Sequence, residues 1–258
     1  MKVIQSRDNP FYKDLVKLSG SVRQRGKTKQ TLLDGAHLLA AYLNAGMLPQ
    51  HVLLNAAAPH DAEIATLLER LGSVPVTQLD DRLFAELSEL KTPTGIFALI
   101  GVPEPDSPVA HSRFALLLED IQDPGNLGSM LRSAAAAGCD AVFLSRGCAD
   151  AWSPRVLRAA MGGHFALHIY ERQDLPGVVR EFSGILLAAT LQATRSLYDC
   201  DLRGNVALLI GNEGAGLSVE LLNLATQKII IPMHGKVESL NAAAATAICL
   251  FEVVRQRQ

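Results

Sequence analysis

Three loops in the second half of the chain combine glycines with polar side chains that could do chemistry. The last of them, 231–241, follows a predicted buried strand and ends where a long alanine-rich helix begins near Leu240. It carries the small polar side chains of Ser239 and Asn241 beside that helix start. A strand end next to a helix N-terminus with free backbone groups is a typical small-ligand site in α/β proteins. The sequence therefore predicts a ligand site in this segment.

Two earlier loops have the same character. The segment DPGNLGSMLR, 123–132, contains glycines that let the backbone turn, Asn126 at or near a predicted helix N-cap, and Arg132 farther along that helix. The segment IGNEGAGLS, 210–218, surrounds the carboxylate of Glu213 with three glycines. Each loop alone could also be only a turn and a helix cap, and 210–218 has neither the glycine spacing of a dinucleotide loop nor the Lys-Ser/Thr of a phosphate loop. Together, at strand ends of one domain, the three loops favour a shared site.

The elements that must position these loops alternate regularly from residue 113 onward. The predicted strands are 114–118, 141–144, 165–170, 185–190, 206–210 and 229–231, and the predicted helices are 127–137, one that starts at Ser153-Pro154, 174–182, 218–224 and 240–256. These strands are continuous apolar runs, which indicates a mostly parallel sheet covered by helices on both faces. Ligands of such sheets bind at the carboxyl ends of the strands, where the three loops fall.

The first hundred residues predict a separate and smaller mixed α/β sandwich. Its predicted elements are helix 10–18, a basic loop, strand 31–34, helix 36–44, strand 51–54, helix 60–71, strand 74–77, helix 80–88 and strand 95–100. The segment GVPEPDSPVAHS, 101–112, has three prolines and no periodic pattern, so we interpret it as a linker. The predicted domains are therefore 1–100 and 113–258.

Composition excludes several classes of protein. With 48% hydrophobic and 19% charged residues, the 258-residue chain can bury a large core and is not disordered. No apolar run approaches the roughly 18–20 residues that span a bilayer, and the first residues lack an apolar signal core. The four cysteines have no metal-ligand spacing. We therefore predict no metal site and interpret the thiols as reduced, in a cytoplasmic protein.

The net charge of −2 hides a basic N-terminal segment. Residues 1–30 contain eight basic residues and two acids, a net +6. Such an excess favours contact with a polyanion, although a solvated, mobile helix explains it equally well. The candidate phosphate contacts are Arg7, Lys13, Arg23, Arg25, Lys27 and Lys29.

The three loops together resemble the SpoU (TrmH-like) RNA 2′-O-ribose methyltransferases of the SPOUT superfamily. The matching motifs are N-x-G-x-x-x-R at 126–132, I-G-N-E-G-x-G-L-S at 210–218 and I-P-M-x-G-x-V-x-S-L-N-x-x-x-A at 231–245. The resemblance covers 113–257, and the closing helix is most similar to the bacterial large-subunit rRNA guanosine ribose methyltransferases. The N-terminal stretch S-R-D-N-P-x-x-K and the later L-L-D-G-A resemble their substrate-binding domain, although many relatives have Glu-Gly where this chain has Asp34-Gly35.

The resemblance implies features that spacing alone does not. It implies a C-terminal SPOUT domain with a parallel sheet and a deep trefoil knot, S-adenosylmethionine as cofactor, and a homodimer through the knot region and the last helix. The positions that match cofactor contacts are Gly211, Ile231, Met233, Ser239, Leu240 and Asn241. The positions that match catalytic residues are Arg132, Asn126, Glu213, Ser239 and Asn241.

Chemical reasoning adds a role for each catalytic candidate. A methyl sulfonium is already activated, so the obstacle is the ribose 2′-hydroxyl, and positioning should supply much of the rate. A guanidinium pKa above about 12 argues against Arg132 as a general base. We predict instead that Arg132 anchors the adjacent phosphate and polarises the hydroxyl, and that Asn126 and Glu213 fix Arg132 and the ribose. Ser239 and Asn241 would align the cofactor and the substrate.

Alternative functions differ in class. An N-terminal RNA-binding half favours rRNA as the substrate over tRNA, because tRNA-specific members of the family generally lack one. A catalytically silent RNA-binding or assembly factor on the same fold is a second possibility. A dinucleotide-binding dehydrogenase is a third, and the missing GxGxxG argues against it. Trp152 is predicted to pack as a hydrophobic staple, with base stacking as the alternative, and His164, His168 and His234 are predicted to have packing or surface roles.

Overall fold

The computed structural model describes residues 1–88, 93–105 and 112–258. They form two compact units. The N-terminal unit comprises Met1–Pro103 and Trp152–Phe165, and the C-terminal unit comprises Glu104–Ala151 and Ala166–Gln258. Of the predicted linker, residues 106–111 lie outside the described part of the chain. Every helix of the described residues is too short or too polar to cross a membrane.

The N-terminal unit is built on a mixed five-stranded sheet in the order β1-β4-β3-β5-β2. Its strands are β1 Lys2–Ile4, β2 Gln30–Asp34, β3 His51–Leu54, β4 Val76–Leu79 and β5 Ile96–Gly101. Its helices from this half of the chain are α1 Pro10–Gly20, α2 Val22–Thr28, α3 Ala36–Asn44, α4 Ala62–Glu69 and α5 Asp81–Leu87. Strand β5 runs antiparallel to both β3 and β2, whereas β1, β4 and β3 are parallel. The mixed α/β character was predicted, but β1 was not, because three residues are too few to show a pattern.

The basic segment is a helix, not the predicted loop. Ser21 caps α2 by accepting a hydrogen bond from Gln24 N at 3.2 Å, and Lys29 ends it in a left-handed conformation with φ 53°. The guanidinium of Arg25 donates to the carbonyl oxygens of Leu18 and Ser19 at 2.5 and 2.8 Å, and the residue is only 5% exposed. The prediction that Arg25 contacts RNA is therefore wrong, since its donors satisfy the last carbonyls of α1.

The C-terminal unit is built on a six-stranded sheet in the order β11-β9-β10-β6-β7-β8, and every strand pair is parallel. The strands are β6 Phe114–Leu118, β7 Ala141–Ser145, β8 His168–Gln173, β9 Ile185–Ala189, β10 Val206–Ile210 and β11 Gln227–Ile229. The helices from this half of the chain are α6 Pro124–Ala136, α7 Pro154–Ala160, α8 Leu175–Glu181, α9 Val219–Leu224 and α10 Ala242–Gln256. The predicted parallel sheet is confirmed. Its central strands, β6 and β10, are fully buried, as continuous apolar runs require.

Two strands of this sheet lie two or three residues away from their predicted positions. The strand predicted at 165–170 begins at His168, because 163–166 forms a 3-10 helix after the left-handed Met161. The strand predicted at 229–231 ends at Ile229, after which Ile230 makes only an isolated bridge to Ser196. Both shifts leave the following loops at the carboxyl edge of the sheet.

The segment Trp152–Phe165, which contains α7, groups with the N-terminal unit. The Thr31 hydroxyl donates to the carbonyl oxygen of Trp152 at 2.7 Å, and both residues are buried. The Trp152 ring packs on His164, with ring centroids 4.9 Å apart, and Phe165 meets Tyr42 edge-on at 5.0 Å. Trp152 and His164 are 4% and 2% exposed, so packing explains both side chains and base stacking does not.

Candidate functional site

A cavity of about 560 Å³ opens at the carboxyl ends of β9, β10 and β11. Its wall consists of the residues that follow β9 and β10, and of the segment between β11 and the first turn of α10. The volume is in the range of small-molecule sites. The predicted residues that line it are Gly211, Glu213, Ile231, Met233, Ser239, Leu240 and Asn241. The structure thus brings the predicted ligand contacts together in one cavity of the C-terminal unit.

A chain of side-chain hydrogen bonds joins the three polar loops. The amide nitrogen Nδ2 of Asn126 donates to Oε1 of Glu213 at 2.9 Å. Nδ2 of Asn241 donates to Oδ1 of Asn126, also at 2.9 Å. Oδ1 of Asn241 accepts from the backbone N–H groups of Ala243 and Ala244 at the start of α10. Because a carboxylate only accepts and a backbone N–H only donates, both amides have one permitted orientation.

The helix cap of α6 differs from the prediction. Asp123, not Asn126, is the N-cap, and its carboxylate accepts a hydrogen bond from Asn126 N at 2.7 Å. Pro124 occupies the first helical position, which suits its fixed φ and missing N–H. Asp caps helices as well as Asn does, so the sequence alone did not separate them. Because Asp123 is the cap, the Asn126 amide does not bond to its own helix and instead forms hydrogen bonds with the other two loops.

The glycine-rich loop at 210–218 is held closed by its own hydrogen bonds. Asn212 and Gly216 exchange two backbone hydrogen bonds of 3.1 and 2.9 Å. Oδ1 of Asn212 accepts from the N–H groups of Gly214 and Ala215, each at 2.9 Å. A Cβ on Gly211 would lie only 2.2 Å from the carbonyl carbon of Gly216, so no other residue fits without a shift. This closed loop places Glu213 against Asn126.

Two acidic residues directly after β6 anchor both ends of the glycine-rich loop. The Glu119 carboxylate accepts from Ser218 N at 2.7 Å, and the Asp120 carbonyl oxygen accepts from Nδ2 of Asn212 at 2.8 Å. Sequence reasoning missed both residues. The available signal was their place at the end of the strand that precedes the first polar loop.

Arg132 stands apart from the other catalytic candidates. Its side chain is exposed on α6 and is not part of the cavity wall. Among the described residues, no hydrogen bond or ion pair is found for its guanidinium. Asn126, on the same helix, also lies outside the wall but reaches it through Glu213 and Asn241. In the described residues, Asn126 and Glu213 bond to each other and not to Arg132, so the prediction that they fix Arg132 is wrong. The predicted action of Arg132 on the RNA stays a prediction.

The candidate RNA contacts of the N-terminal unit fall into two groups. Arg7 forms an ion pair with Glu86, and Lys13 forms one with Asp8 at 2.8 Å. The remaining surface cations, all exposed and within or directly after α2, are Arg23, Lys27 and Lys29.

The four cysteines are unsuited to nucleophilic chemistry. All are free thiols, and burial raises the pKa of each, that of Cys249 to about 12. They are therefore protonated at neutral pH, whereas a nucleophilic cysteine needs its thiolate. In the described residues, no group of three or more His, Cys, Asp or Glu side chains could hold a metal ion.

Comparisons with known proteins agree on one family. Residues 113–251 match the SpoU rRNA Methylase family, and residues 9–98 match the MRM3-like substrate binding domain. The chain is 36% identical to an uncharacterized tRNA/rRNA methyltransferase of Synechocystis, over 98% of this chain and 94% of the relative. It is 34% identical to the 23S rRNA (guanosine(2553)-2′-O)-methyltransferase of Bacillus subtilis, over 98% of this chain and 99% of the relative.

Solved structures give the same result over the whole chain. A crystal structure of an RNA 2′-O ribose methyltransferase superposes with a TM-score of 0.84 at 29% identity, covering 99% of both chains. An S-adenosylmethionine-bound rRNA methyltransferase from Sinorhizobium meliloti superposes with a TM-score of 0.83 at 28% identity, covering 98% of this chain and 97% of the other.

A methyl group added at Gly211 should disturb the glycine-rich loop, whereas one at Gly214 should not. At Gly211 the new Cβ would lie 2.2–2.3 Å from backbone atoms of Gly216 and Leu217, but at Gly214 the nearest atom is 3.6 Å away. We expect Gly211→Ala to lower the free energy of unfolding by about 1–3 kcal/mol, as overpacking does. Urea unfolding and hydrogen exchange of residues 211–218 measure this, and equal effects of the two substitutions would contradict it.

Proposed function

The chain belongs to the SpoU rRNA methylase family, and we propose that it methylates a ribose of large-subunit ribosomal RNA. It is an S-adenosylmethionine-dependent RNA 2′-O-methyltransferase. The observation that carries the proposed site is the hydrogen-bond chain Glu213–Asn126–Asn241 beside the cavity. The match of residues 9–98 to a substrate-binding domain, together with the 23S rRNA substrate in the name of the Bacillus subtilis relative, supports the choice of RNA.

The cavity has the properties that S-adenosylmethionine requires. Its volume of about 560 Å³ suits a ligand of that size, and its wall offers backbone groups of Gly211 and Ile231 together with the apolar side chains of Met233 and Leu240. Ser239 and Asn241 complete the predicted contacts. When bound, the cofactor supplies an electrophilic methyl group on a sulfonium. Because this activation is built into the cofactor, the protein's own task is to orient and polarise the ribose hydroxyl.

The polar side chains divide that task. Asn126 is held between Glu213 and Asn241 before any ligand arrives, so it is a fixed polar group beside two residues of the cavity wall. Arg132 has no ion pair among the described residues and can pair with an RNA phosphate. We infer that this pairing positions the neighbouring 2′-hydroxyl and polarises it. A guanidinium stays protonated at neutral pH, so it acts as a donor and not as a base.

Methyl transfer to isolated RNA tests the proposed substrate. Purified protein with methyl-labelled S-adenosylmethionine should label the ribose of one nucleotide in 23S rRNA, detected as a phosphodiester resistant to alkali. Labelling of tRNA instead would overturn the choice of rRNA. Tight RNA binding without any labelling would favour a catalytically silent assembly factor.

The same methyl-transfer assay tests the proposed catalytic role of Arg132. Arg132→Ala should lower the single-turnover rate by about 100-fold, the scale of one lost electrostatic contact in a transition state, without weakening cofactor binding. The matched control is Arg180→Ala, because Arg180 pairs with Glu220 on the surface at 2.9 Å and should be dispensable. A near-normal rate for Arg132→Ala would show that the assignment is wrong.

We further propose that residues 1–100 bind the RNA and that residues 113–258 form the methyltransferase domain, although Trp152–Phe165 within that range groups with the N-terminal unit. The exposed cations of α2 are the proposed phosphate contacts, with Arg25 excluded by its burial. Replacing Arg23 and Lys27 together by Ala should weaken RNA binding and reduce the slope of log K against log salt by about 2. Lys17→Ala is the control, since that lysine pairs with Asp14 at 3.1 Å. An unchanged salt slope would contradict these contacts.

The assembly is proposed to be a homodimer through the last helix and the segment before it. Helix α10 buries Cys249, Leu250 and Val253 but leaves Phe251 48% exposed, and Val237 before the helix is 65% exposed. Large apolar side chains of this kind mark protein contacts when they cluster. Phe251→Glu should give a monomer in sedimentation velocity, whereas the wild type should sediment as a dimer. A wild-type monomer at micromolar concentration would overturn the proposal.

A trefoil knot and a cytoplasmic location complete the proposal. The end of α10 is tied to the segment 200–204, since Gln256 Nε2 donates to the Cys200 carbonyl at 3.0 Å and Arg257 donates to the Gly204 carbonyl at 2.7 Å. These contacts fix the end of α10 against that segment, and the knot itself is proposed from the family resemblance. Four free thiols support a reducing compartment.

A further inference from the structure

Asp120 has an unusual backbone conformation at the point where β6 enters the polar loops. Its φ is 55°, in the left-handed region that favours glycine. We propose that Ser145 and Asp120 are positioning residues that hold the glycine-rich loop in its ligand-binding form. This inference rests on the proposed role of that loop in binding S-adenosylmethionine. Neither residue belongs to the cavity wall, so any effect on the ligand is indirect.

Ser145 holds Asp120 by two hydrogen bonds. Its hydroxyl donates to Oδ1 of Asp120 at 2.5 Å and accepts from the backbone N–H of Asp120 at 2.9 Å. One side chain therefore fixes both the carboxylate and the peptide group of its partner. Bonds to a charged acceptor are stronger than bonds between neutral groups.

The turn after β7 encloses the same carboxylate. A Cβ on Gly147 would lie 2.2 Å from Oδ1 and 2.5 Å from Cγ of Asp120, so the glycine is there because the carboxylate needs its space. The turn is hydrogen-bonded at two further points, to the last residue of β6 and to the segment that follows it. Cys148 Sγ donates to the Leu118 carbonyl at 3.2 Å, and Ala149 N donates to the Ile121 carbonyl at 2.8 Å.

The backbone conformation of Asp120 affects the cavity through a hydrogen bond with Asn212. Its carbonyl oxygen accepts from Nδ2 of Asn212 at 2.8 Å. Oδ1 of that amide accepts from Gly214 and Ala215, the two residues that follow Glu213. If the peptide after Asp120 rotated, Asn212 would lose this partner and the loop around Glu213 would lose its support. A left-handed residue without an anchor relaxes toward ordinary φ values, which is the rotation that Ser145 prevents.

Removing the hydroxyl tests the first link. Ser145→Ala should raise the dissociation constant of S-adenosylmethionine about ten-fold in calorimetry, the scale of one hydrogen bond to a charged group. In the ligand-free protein it should also speed hydrogen exchange at 211–218. Ser145→Thr keeps the hydroxyl and should bind like the wild type. Ser183→Ala is the control, because the Ser183 hydroxyl makes none of these contacts. Unchanged affinity and exchange in Ser145→Ala would overturn the proposal.

Two substitutions at Asp120 separate backbone conformation from charge. Glycine adopts a positive φ without steric strain, so Asp120→Gly should bind the ligand within about three-fold of the wild type, whereas Asp120→Ala should bind at least as weakly as Ser145→Ala. In the Asp120→Gly background, the added Ser145→Ala should change the affinity for the ligand less than about two-fold. The reason is that glycine at position 120 adopts the positive φ without the hydrogen bonds of the Ser145 hydroxyl. A full additional loss would overturn the mechanism.

Binding is measured without RNA in all of these variants. A protein that binds S-adenosylmethionine but labels no rRNA would refute the proposed substrate and leave this test intact. A melting temperature recorded for each variant identifies any that fail to fold, in which case Ser145→Thr and Asp120→Gly still decide the outcome.

Discussion

The site depends on one side-chain amide, that of Asn126, whose donor and acceptor are both hydrogen-bonded within the protein. Asn126 gives its donor to Glu213 and its acceptor to Asn241, and these partners come from loops that are distant in sequence. Such a bridge forms only if three strand ends lie at one edge of the same sheet, which the parallel order β11-β9-β10-β6 provides. A carboxylate lies at one end of this series of hydrogen bonds and the N–H groups of a helix N-terminus lie at the other. These two ends fix which atom donates at each step, so neither amide has an alternative orientation. The positions of Glu213 and Asn241 in the cavity wall are thereby fixed before a ligand binds.

The basic side chains differ in whether they must lose a carboxylate partner before they can bind a phosphate. Arg7 and Lys13 already have carboxylate partners, and an incoming phosphate would have to replace them. Arg132, Arg23 and Lys27 have no carboxylate partner among the described residues that a phosphate would have to replace. Lys29 differs, because it already has an interaction. Surface pairs contribute little to stability, but they reduce the charge that a polyanion meets at a distance. The distribution of ion pairs therefore matters as much for binding as the count of basic residues.

Much of the fold follows from local pattern. The central strands β6 and β10 are uniform apolar runs, and both have their predicted bounds. The N-cap Ser153 and the positions of the three polar loops were also predicted from residue types alone. Of the cavity residues, Glu213, Ser239 and Asn241 were indicated by residue type and position. The cofactor contacts Gly211, Ile231, Met233 and Leu240 could be predicted only through family resemblance, because a glycine-rich loop has many uses and the cavity closes around backbone groups.

The failures have two physical causes. Helix α2 has a local start signal, Ser21 three residues before Gln24, which the interpretation of this segment as a basic loop missed. The burial of Arg25 and the anchors Glu119 and Asp120 depend on contacts that local periodicity does not show. An arginine that caps carbonyls inside the protein and one that faces solvent have the same local pattern. A carboxylate after a strand looks like a turn residue until the opposite loop is known. Hydrogen-bond partners of this kind are properties of the fold and not of the segment.

The course of the chain between the two units limits how the protein can be divided. The segment Trp152–Phe165 belongs to the N-terminal unit although it lies between β7 and β8 of the other sheet. A fragment cut at the proline-rich segment would lack it, which would leave the Thr31 hydroxyl without its carbonyl partner and the Tyr42 ring uncovered. The unit that carries the α2 cations is therefore no detachable module. Grafting it onto another enzyme would require transplanting two separate stretches of sequence.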